Sequence, residues 1–280
     1  MTFDKRTLAT IALLLVAALA AGIKYWDYVV NPWTRNGMVR ANVIQVTPRV
    51  SGPIVELPIV DNQEIEAGEL LFRIDPRTFN ADLDEAEAEL ERTEQDFERA
   101  EDLIKKGDIS KRNYDKAEAA FDVARSNLET ARLNLEFTEV RASVDGFITN
   151  LTLRIGSQAV ENQPVMALID RDSFWVHGYF RETRVGAIKP GDKTLVTLMT
   201  YPDTPLSGTV NSLGWGIAQQ DGSSGVDLLP SVNPTFEWIR LAQRVPVRIH
   251  LDQLPDHVQL RVGTTASVLV KTGTAGSAGQ

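Results

Sequence analysis

The chain has no cysteine. Structural disulfides, thiolate metal sites and cysteine nucleophiles are excluded, although the redox compartment stays open. Histidine is scarce. His177, His250 and His257 share no metal-ligand spacing, and no His-Glu-x-x-His occurs. Each reads as a strand or loop residue. Basic charge is also short: 29 Lys and Arg stand against 38 Asp and Glu in 280 residues, a formal net charge of −9. Phosphate contacts need clustered Lys and Arg, so this balance argues against a nucleic-acid partner. Gly214-Trp215-Gly216 lacks the third glycine and the strand–helix setting of a nucleotide loop. Asp170-Arg171-Asp172 pairs two carboxylates, but it ends a strand-like run, where a turn is the expected role. No catalytic, cofactor-binding or metal site is expected, and the chain does not read as an enzyme.

What is present is periodicity. Phe79, Leu83, Ala86, Leu90, Thr93, Phe97, Ala100 and Ile104 recur every fourth and third residue. After Lys105-Lys106-Gly107-Asp108, Tyr114, Ala117, Phe121, Ala124, Leu128, Ala131, Leu135 and Thr138 do the same. Each run is a heptad seam between mostly charged positions. A short glycine-containing break between matched seams predicts an antiparallel helical hairpin over 77–139. Ser110 stands where its hydroxyl would cap the second helix. At about 1.5 Å per residue the arm is about 40 Å long. The seam is narrower than the face of an ordinary core helix, so the two helices should mostly bury each other.

Ahead of the hairpin, Lys5 and Arg6 precede an uncharged apolar run from Thr7 to Ile23. Leu8, Ile11, Leu14, Leu15, Leu19 and Ile23 are its large residues, and Tyr25, Trp26 and Tyr28 follow as an aromatic belt. At about 1.5 Å per residue the run spans roughly 26 Å, enough for a transmembrane helix with interfacial residues at its edge. The basic flank puts the N-terminus in the cytoplasm and the rest of the chain outside it. Ala18-Leu19-Ala20 also fits a signal-peptide cleavage site, but a cleaved segment has no use for an aromatic belt. Residues 1–30 are therefore read as a retained single-pass inner-membrane anchor.

Between anchor and hairpin, 40–76 shows short apolar strands punctuated by Pro48, Asp61-Asn62-Gln63, Ala67-Gly68 and Asp75-Pro76. The pattern returns in 140–172. Val50-Ser51-Gly52-Pro53-Ile54 matches Val144-Asp145-Gly146-Phe147-Ile148, and the stretch from Glu66 to Asp75 matches that from Glu161 to Asp170. The hairpin is thus inserted between two β half-motifs. Neither can bury its apolar face alone, so they should pack into one small sandwich. Beyond it, 173–271 is again strand-like. Phe174, Val176, Gly178 and Phe180 alternate with Trp175, His177 and Tyr179, and Leu195–Met199, Leu206–Leu213, Val245–Leu251 and Thr265–Val270 follow. Strands at this spacing suggest a small β-barrel. Gln219 to Gly225 reads as a flexible loop and 272–280 as a disordered tail. Arg240, Arg244 and Arg248 suit an anionic substrate, though surface pairing with carboxylates is the default. The fold class is mainly β with a long antiparallel α-helical hairpin.

Paired β half-motifs carrying a helical hairpin behind one N-terminal anchor resemble the hemolysin-D-type membrane fusion proteins, the periplasmic adaptors of Gram-negative efflux and secretion systems. The resemblance implies a biotinyl/lipoyl-like split domain followed by a barrel. A true biotinyl or lipoyl carrier needs an acceptor lysine at the junction of its halves. No lysine occurs between Lys24 and Lys105, so neither group is expected. Arg99, Leu103 and Ser110 have the spacing that some of these adaptors carry at the hairpin tip, where the resemblance implies contact with an outer-membrane channel. The stretch Phe236–Ile249 and Asn31-Pro32-Trp33-Thr34-Arg35 resemble the p-hydroxybenzoic acid efflux adaptors. This implies an inner-membrane exporter of the aromatic acid exporter type as partner, and assembly of several copies into a ring. Two alternatives share parts of the pattern: an adaptor for peptide or protein secretion, and a membrane-anchored coiled-coil spacer with no role in transport.

Overall fold

The computed structural model describes residues 14–22, 25, 30–216 and 242–273. In chain order its elements are α1 (residues 14–22), β1 (Trp33–Arg40), β2 (Val43–Val46), β3 (Gly52–Glu56), β4 (Glu64–Ile65), β5 (Leu70–Ile74), α2 (Arg77–Lys106), α3 (Lys111–Glu136), β6 (Glu139–Arg141), β7 (Gly146–Thr149), β8 (Gln158–Ala159), β9 (Met166–Asp170), β10 (Trp175–Arg181), α4 (Glu182–Val185), β11 (Lys193–Leu198), β12 (Tyr201–Leu213), β13 (Arg244–Leu251) and β14 (Thr265–Lys271). Two units emerge. One is Asn42–Asp172, and the other joins the described residues up to Ala41 with those from Ser173 onward.

In the first unit the half-motifs interlock. One sheet has the order β2-β9-β7-β4, the other β6-β5-β3-β8. Each sheet takes its inner strands from one half and its outer strands from the other. The two faces enclose Ile54, Ile65, Leu71, Phe72, Ile74, Ile148 and Leu168, all buried. The halves are related by one constant sequence offset. Ile54 lies opposite Ile74 in one sheet as Ile148 lies opposite Leu168 in the other. Left-handed turn residues obey the same offset: Asn62 and Gly68 (φ 64° and 85°) answer to Gly156 and Asn162 (φ 88° and 60°). The Glu66–Asp75 segment must therefore be aligned one residue earlier than the match of Asp75 to Asp170 suggested. The two aspartates drew the alignment off, and a one-residue slip exchanges the two faces of a strand. Ile74 is fully buried, as is Leu168, whereas Ile169 is only half-buried.

The hairpin leaves the sandwich through β5 and returns through β6, which are hydrogen-bonded neighbours. α2 has 30 residues and α3 has 26. Phe79, Leu83, Leu90, Phe97, Ile104, Tyr114, Phe121, Leu128 and Leu135 are all buried or half-buried, in rows between exposed charges. Phe97 stacks on Phe121 with ring centroids 5.5 Å apart, and tilts against Tyr114 at 5.6 Å. Small residues fill the other layers: Thr93, Ala100, Ala124 and Ala131 are buried. Thr93 satisfies its hydroxyl locally, donating to the Glu89 and Leu90 carbonyls at 2.9 and 3.0 Å.

The second unit contains a closed barrel of order β1-β10-β13-β12-β11-β14. Alternate residues point inward, so Val39, Val176, Phe180, Val196, Val210, Val247, Ile249 and Val268 form its core. The first barrel strand, β1, lies upstream of the sandwich, outside the 173–271 range read from sequence. Its apolar alternation is confined to Val39 and its neighbours, because the Trp33-to-Gly37 part carries a bulge. The Gln219–Gly225 segment and residues 274–280 lie outside the described residues.

Of the anchor residues, Leu14, Leu15 and Leu19 lie on α1 and are exposed. Leu8, Ile11 and Ile23 lie outside the described residues. Among the described residues no helix is long and apolar enough to cross a membrane.

Candidate functional site

The hairpin tip is built by two opposed end signals. α2 stops because Gly107 adopts φ 77°, a left-handed conformation that glycine takes without a Cβ penalty. Its N–H reaches the Ile104 carbonyl at 3.1 Å, and the Asp108 N–H reaches that of Leu103 at 2.9 Å. Lys105 and Lys106 occupy the last turn, where cations suit the helix dipole. α3 starts because Ser110, in extended conformation, accepts from the Asn113 N–H at 3.4 Å.

This geometry puts Leu103 in the last turn of α2 and Ser110 at the cap of α3, on either side of the Gly107 turn. Arg99 is one turn before Leu103, ion-paired with Asp96 on its own helix. Ile104 belongs to the seam and is half-buried, while Leu103 beside it is 38% exposed. Several charged residues of the hairpin pair with each other: Arg92 bridges Glu89 and Asp96 at 2.6 and 3.1 Å, and Lys105 meets Glu101 at 3.1 Å. The Arg92 hydrogen bond holds the Glu89 carboxyl below its usual range. Tyr114 is pushed the other way, first by burial and then by Glu118, Glu101 and Asp115 nearby. The tip is therefore an uncovered leucine among solvated charges, able to bury apolar surface and to exchange hydrogen bonds.

At the foot of the hairpin, a groove of about 950 Å³ runs between the sandwich and the ends of α2 and α3. Arg49 lies over the Phe137 ring at 4.8 Å. Arg73 meets Glu56 at 2.7 Å and Glu139 at 3.1 Å, and Arg141 holds the Glu139 carboxyl below its usual range. Arg171 ties the two half-motifs together, reaching Glu64 at 3.0 Å and Asp145 at 3.2 Å. The Asp170-Arg171-Asp172 segment is a turn in which the Asp172 N–H bonds the Asp170 carboxylate at 3.0 Å. Among the described residues no group of three or more His, Asp and Glu side chains could hold a metal ion.

A hairpin-bearing β sandwich of two interlocked halves, together with a six-stranded barrel, defines the class. A family model described as RND MFP, barrel-sandwich hybrid domain matches residues 42–212, and one described as AAEA-like beta-barrel domain matches 173–271. The chain belongs to the membrane fusion proteins. Among particular relatives, it is 41% identical over 270 residues to the uncharacterized protein YdhJ of Escherichia coli strain K12, covering 91% of this chain and 94% of that one. Its fold is shared with a MacA–MexA chimera carrying the Pseudomonas aeruginosa MexA α-hairpin (TM-score 0.68, 24% identity, 86% of this chain and 82% of that). It is shared too with the membrane fusion protein Spr0693 of Streptococcus pneumoniae R6 (TM-score 0.63, 15% identity, 86% and 98%).

Proposed function

We propose that this chain is the periplasmic adaptor subunit of a tripartite efflux pump. It links an inner-membrane exporter of the aromatic acid exporter type to an outer-membrane channel, and the cargo is an aromatic carboxylic acid or a related small molecule. The observation that carries this reading is the combination, in one chain, of a hairpin-bearing barrel-sandwich with a barrel matching the AAEA-like model. Residues 1–30 anchor the chain by a single span with the N-terminus in the cytoplasm, and the bulk lies in the periplasm. The 40–76 and 140–172 halves and the 77–139 hairpin form the conduit wall in a ring of copies. The 173–271 barrel meets the exporter, which supplies the energy.

At the other end, Arg99, Leu103 and Ser110 contact the channel. Leu103 is off the seam and exposed, and a fully buried leucine contributes about 1.5–3 kcal/mol. Arg99 supplies charge-assisted hydrogen bonds. The test is Leu103→Asp in cells, with efflux, protein level, exporter association and tip cross-linking to candidate channels all measured. Export and cross-linking should be lost while level and association hold. Normal efflux with unchanged cross-linking would remove the tip from the mechanism. A periplasm-dependent reporter fused after Gln280 should be active, with the protein in the inner-membrane fraction. A soluble mature protein starting near Ala21 would replace the anchor by a cleaved signal.

A further inference from the structure

β1 and β10 separate at one end of the barrel. Their ladder runs from Arg40 opposite Trp175 to Gly37 opposite Gly178 and stops there. β10 continues along β13 to Arg181, while β1 continues back along β14 to Trp33 through a register shift between Thr34 and Gly37. Such a bulge takes side chains out of the regular alternation and re-aims them. Gly37 is required at its edge, since a Cβ there would meet the Ala266 carbonyl oxygen at 2.6 Å. The Thr34 hydroxyl spans the gap, donating to the Tyr179 carbonyl at 2.8 Å. The opening is a pocket of about 330 Å³, within the size range of small-ligand sites.

Its walls are cationic and aromatic. Arg35, Arg181, Arg184 and Arg244 line it together with Trp33 and Tyr179, and none of its described lining residues is acidic. This is a concentration of guanidinium in a chain of net charge −9. Among the described residues, Arg35, Arg181 and Arg244 have no carboxylate partner. Arg35 lies over the Trp33 ring at 5.7 Å. Arg181 and Arg244 stand directly opposite each other in the β10–β13 ladder, a like-charge pairing that is unfavourable by itself and that an anion between them would relieve. Planar guanidinium groups pair with carboxylates through two parallel hydrogen bonds and stack on flat rings.

We propose that this pocket binds a small aromatic carboxylate, its carboxylate held by Arg181 and Arg244 and its ring against Trp33 and Tyr179. A bare phosphate would leave the aromatic wall unused. The physiological meaning of the site rests on the export reading, but binding to purified protein is a separate measurement. It can fail while export stands.

The test is calorimetric titration of the full-length chain in detergent with 4-hydroxybenzoate, benzyl alcohol and glycerol 3-phosphate. 4-Hydroxybenzoate should bind, benzyl alcohol should bind at least tenfold more weakly, and glycerol 3-phosphate should not compete. The double variant Arg181→Ala, Arg244→Ala should lose at least tenfold in affinity. Where that variant is not folded by circular dichroism, the single variants Arg181→Gln and Arg244→Gln should show the same direction of loss. Absence of binding, equal binding of benzyl alcohol, or unchanged affinity in the folded variants would overturn the proposal. Preference for glycerol 3-phosphate would also overturn it, in favour of a lipid headgroup.

Discussion

The two β bodies of this chain close by different routes. The barrel-sandwich closes by exchange: two copies of one half-motif each supply inner strands to one sheet and outer strands to the other. The barrel closes with a single strand, β1, drawn from upstream of the sandwich and bulged where it turns along β14. The first arrangement can carry a lever, because α2 and α3 spring from paired strands. The second leaves a wedge beside the bulge, and the wedge collects arginines. Regular closure gives the hairpin a paired base, and irregular closure opens the pocket proposed above.

The strongest test of the supporting role is Phe72→Ala. Phe72 is fully buried on β5, just before the hairpin. Large-to-small changes at such a site cost about 3–5 kcal/mol. We expect urea denaturation to show this loss, with hairpin helicity and sandwich structure disappearing at one midpoint. Two separated transitions would mean that the hairpin stands on its own and that the interlocked halves are not its base.

The equivalence of the halves is sharpened by their paired glycines. Gly52 on β3 and Gly146 on β7 occupy corresponding positions, yet their surroundings differ. A Cβ on Gly146 would lie 2.0 Å from the Ile169 carbonyl oxygen, whereas one on Gly52 would meet only the Ile74 side chain, at 2.5 Å. Backbone cannot yield as a side chain can. Overpacking typically costs about 1–3 kcal/mol. Gly146→Ala should fall at the top of that range and Gly52→Ala at the bottom, measured by the same denaturation. Equal losses would show that the pseudo-symmetry extends to the packing.

Much of the first unit was legible because its physics is periodic. Heptad seams place Phe97 and Phe121 each on the apolar stripe of its helix, and glycine followed by serine marks the turn and the cap. The repeat was legible in its conserved turn spacing, but strand pairing is not, and the matching aspartates pulled the alignment off by one residue. The barrel was harder. Trp33 to Gly37 does not alternate, since a bulge breaks the period of two, so β1 could not be read as a strand. The pocket was invisible for a further reason. Its arginines come from β1, β10, α4 and β13; in the sequence Arg244 stood out as a charge, and Arg35 only as part of the Asn31–Arg35 resemblance. Arg35 and Arg181 meet only when the barrel closes.

A smaller effect belongs to the hairpin tip, where Ser110 is both the cap of α3 and a proposed channel contact. Ser110→Ala removes the acceptor for the Asn113 N–H and should cost about 0.5–2 kcal/mol of stability. Ser110→Asp keeps a good cap. If both variants export normally, Ser110 is a cap alone. If the aspartate variant is stable but fails to export, the hydroxyl itself is used by the partner.

The smallest effect separates the two units by pH. Among the described residues, His177, His250 and His257 lie in the barrel unit, and so do Trp33, Trp175 and Trp215, whereas α2 and α3 lie in the other. Tryptophan emission therefore reports on the barrel unit, and helical circular dichroism chiefly on the other, since α2 and α3 are far longer than α1 and α4. His177 lies on β10 between the Trp175 and Tyr179 rings, with centroids 5.7 and 6.2 Å away, and opposite Met38 and Arg248. Its pKa is lowered, first by burial and then by the Arg40 and Arg248 charges. The unfolded chain, with a histidine pKa of about 6.5, therefore takes up this proton at higher pH than the folded barrel does. His177's contribution is fully present above that value and declines as pH falls below it, by at most about 1.4 kcal/mol per pH unit for one proton. Glu89 and Glu139 in the other unit also have lowered pKa values, from ordinary values of 4.5, so their contributions are lost only at more acidic pH. Between pH 7 and pH 5, the urea midpoint read by tryptophan should shift down while that read by helicity holds, and His177→Gln should flatten the first curve. A helicity midpoint that falls in step with the tryptophan midpoint would instead mean that the two units unfold together and that the barrel's histidine is felt throughout the chain.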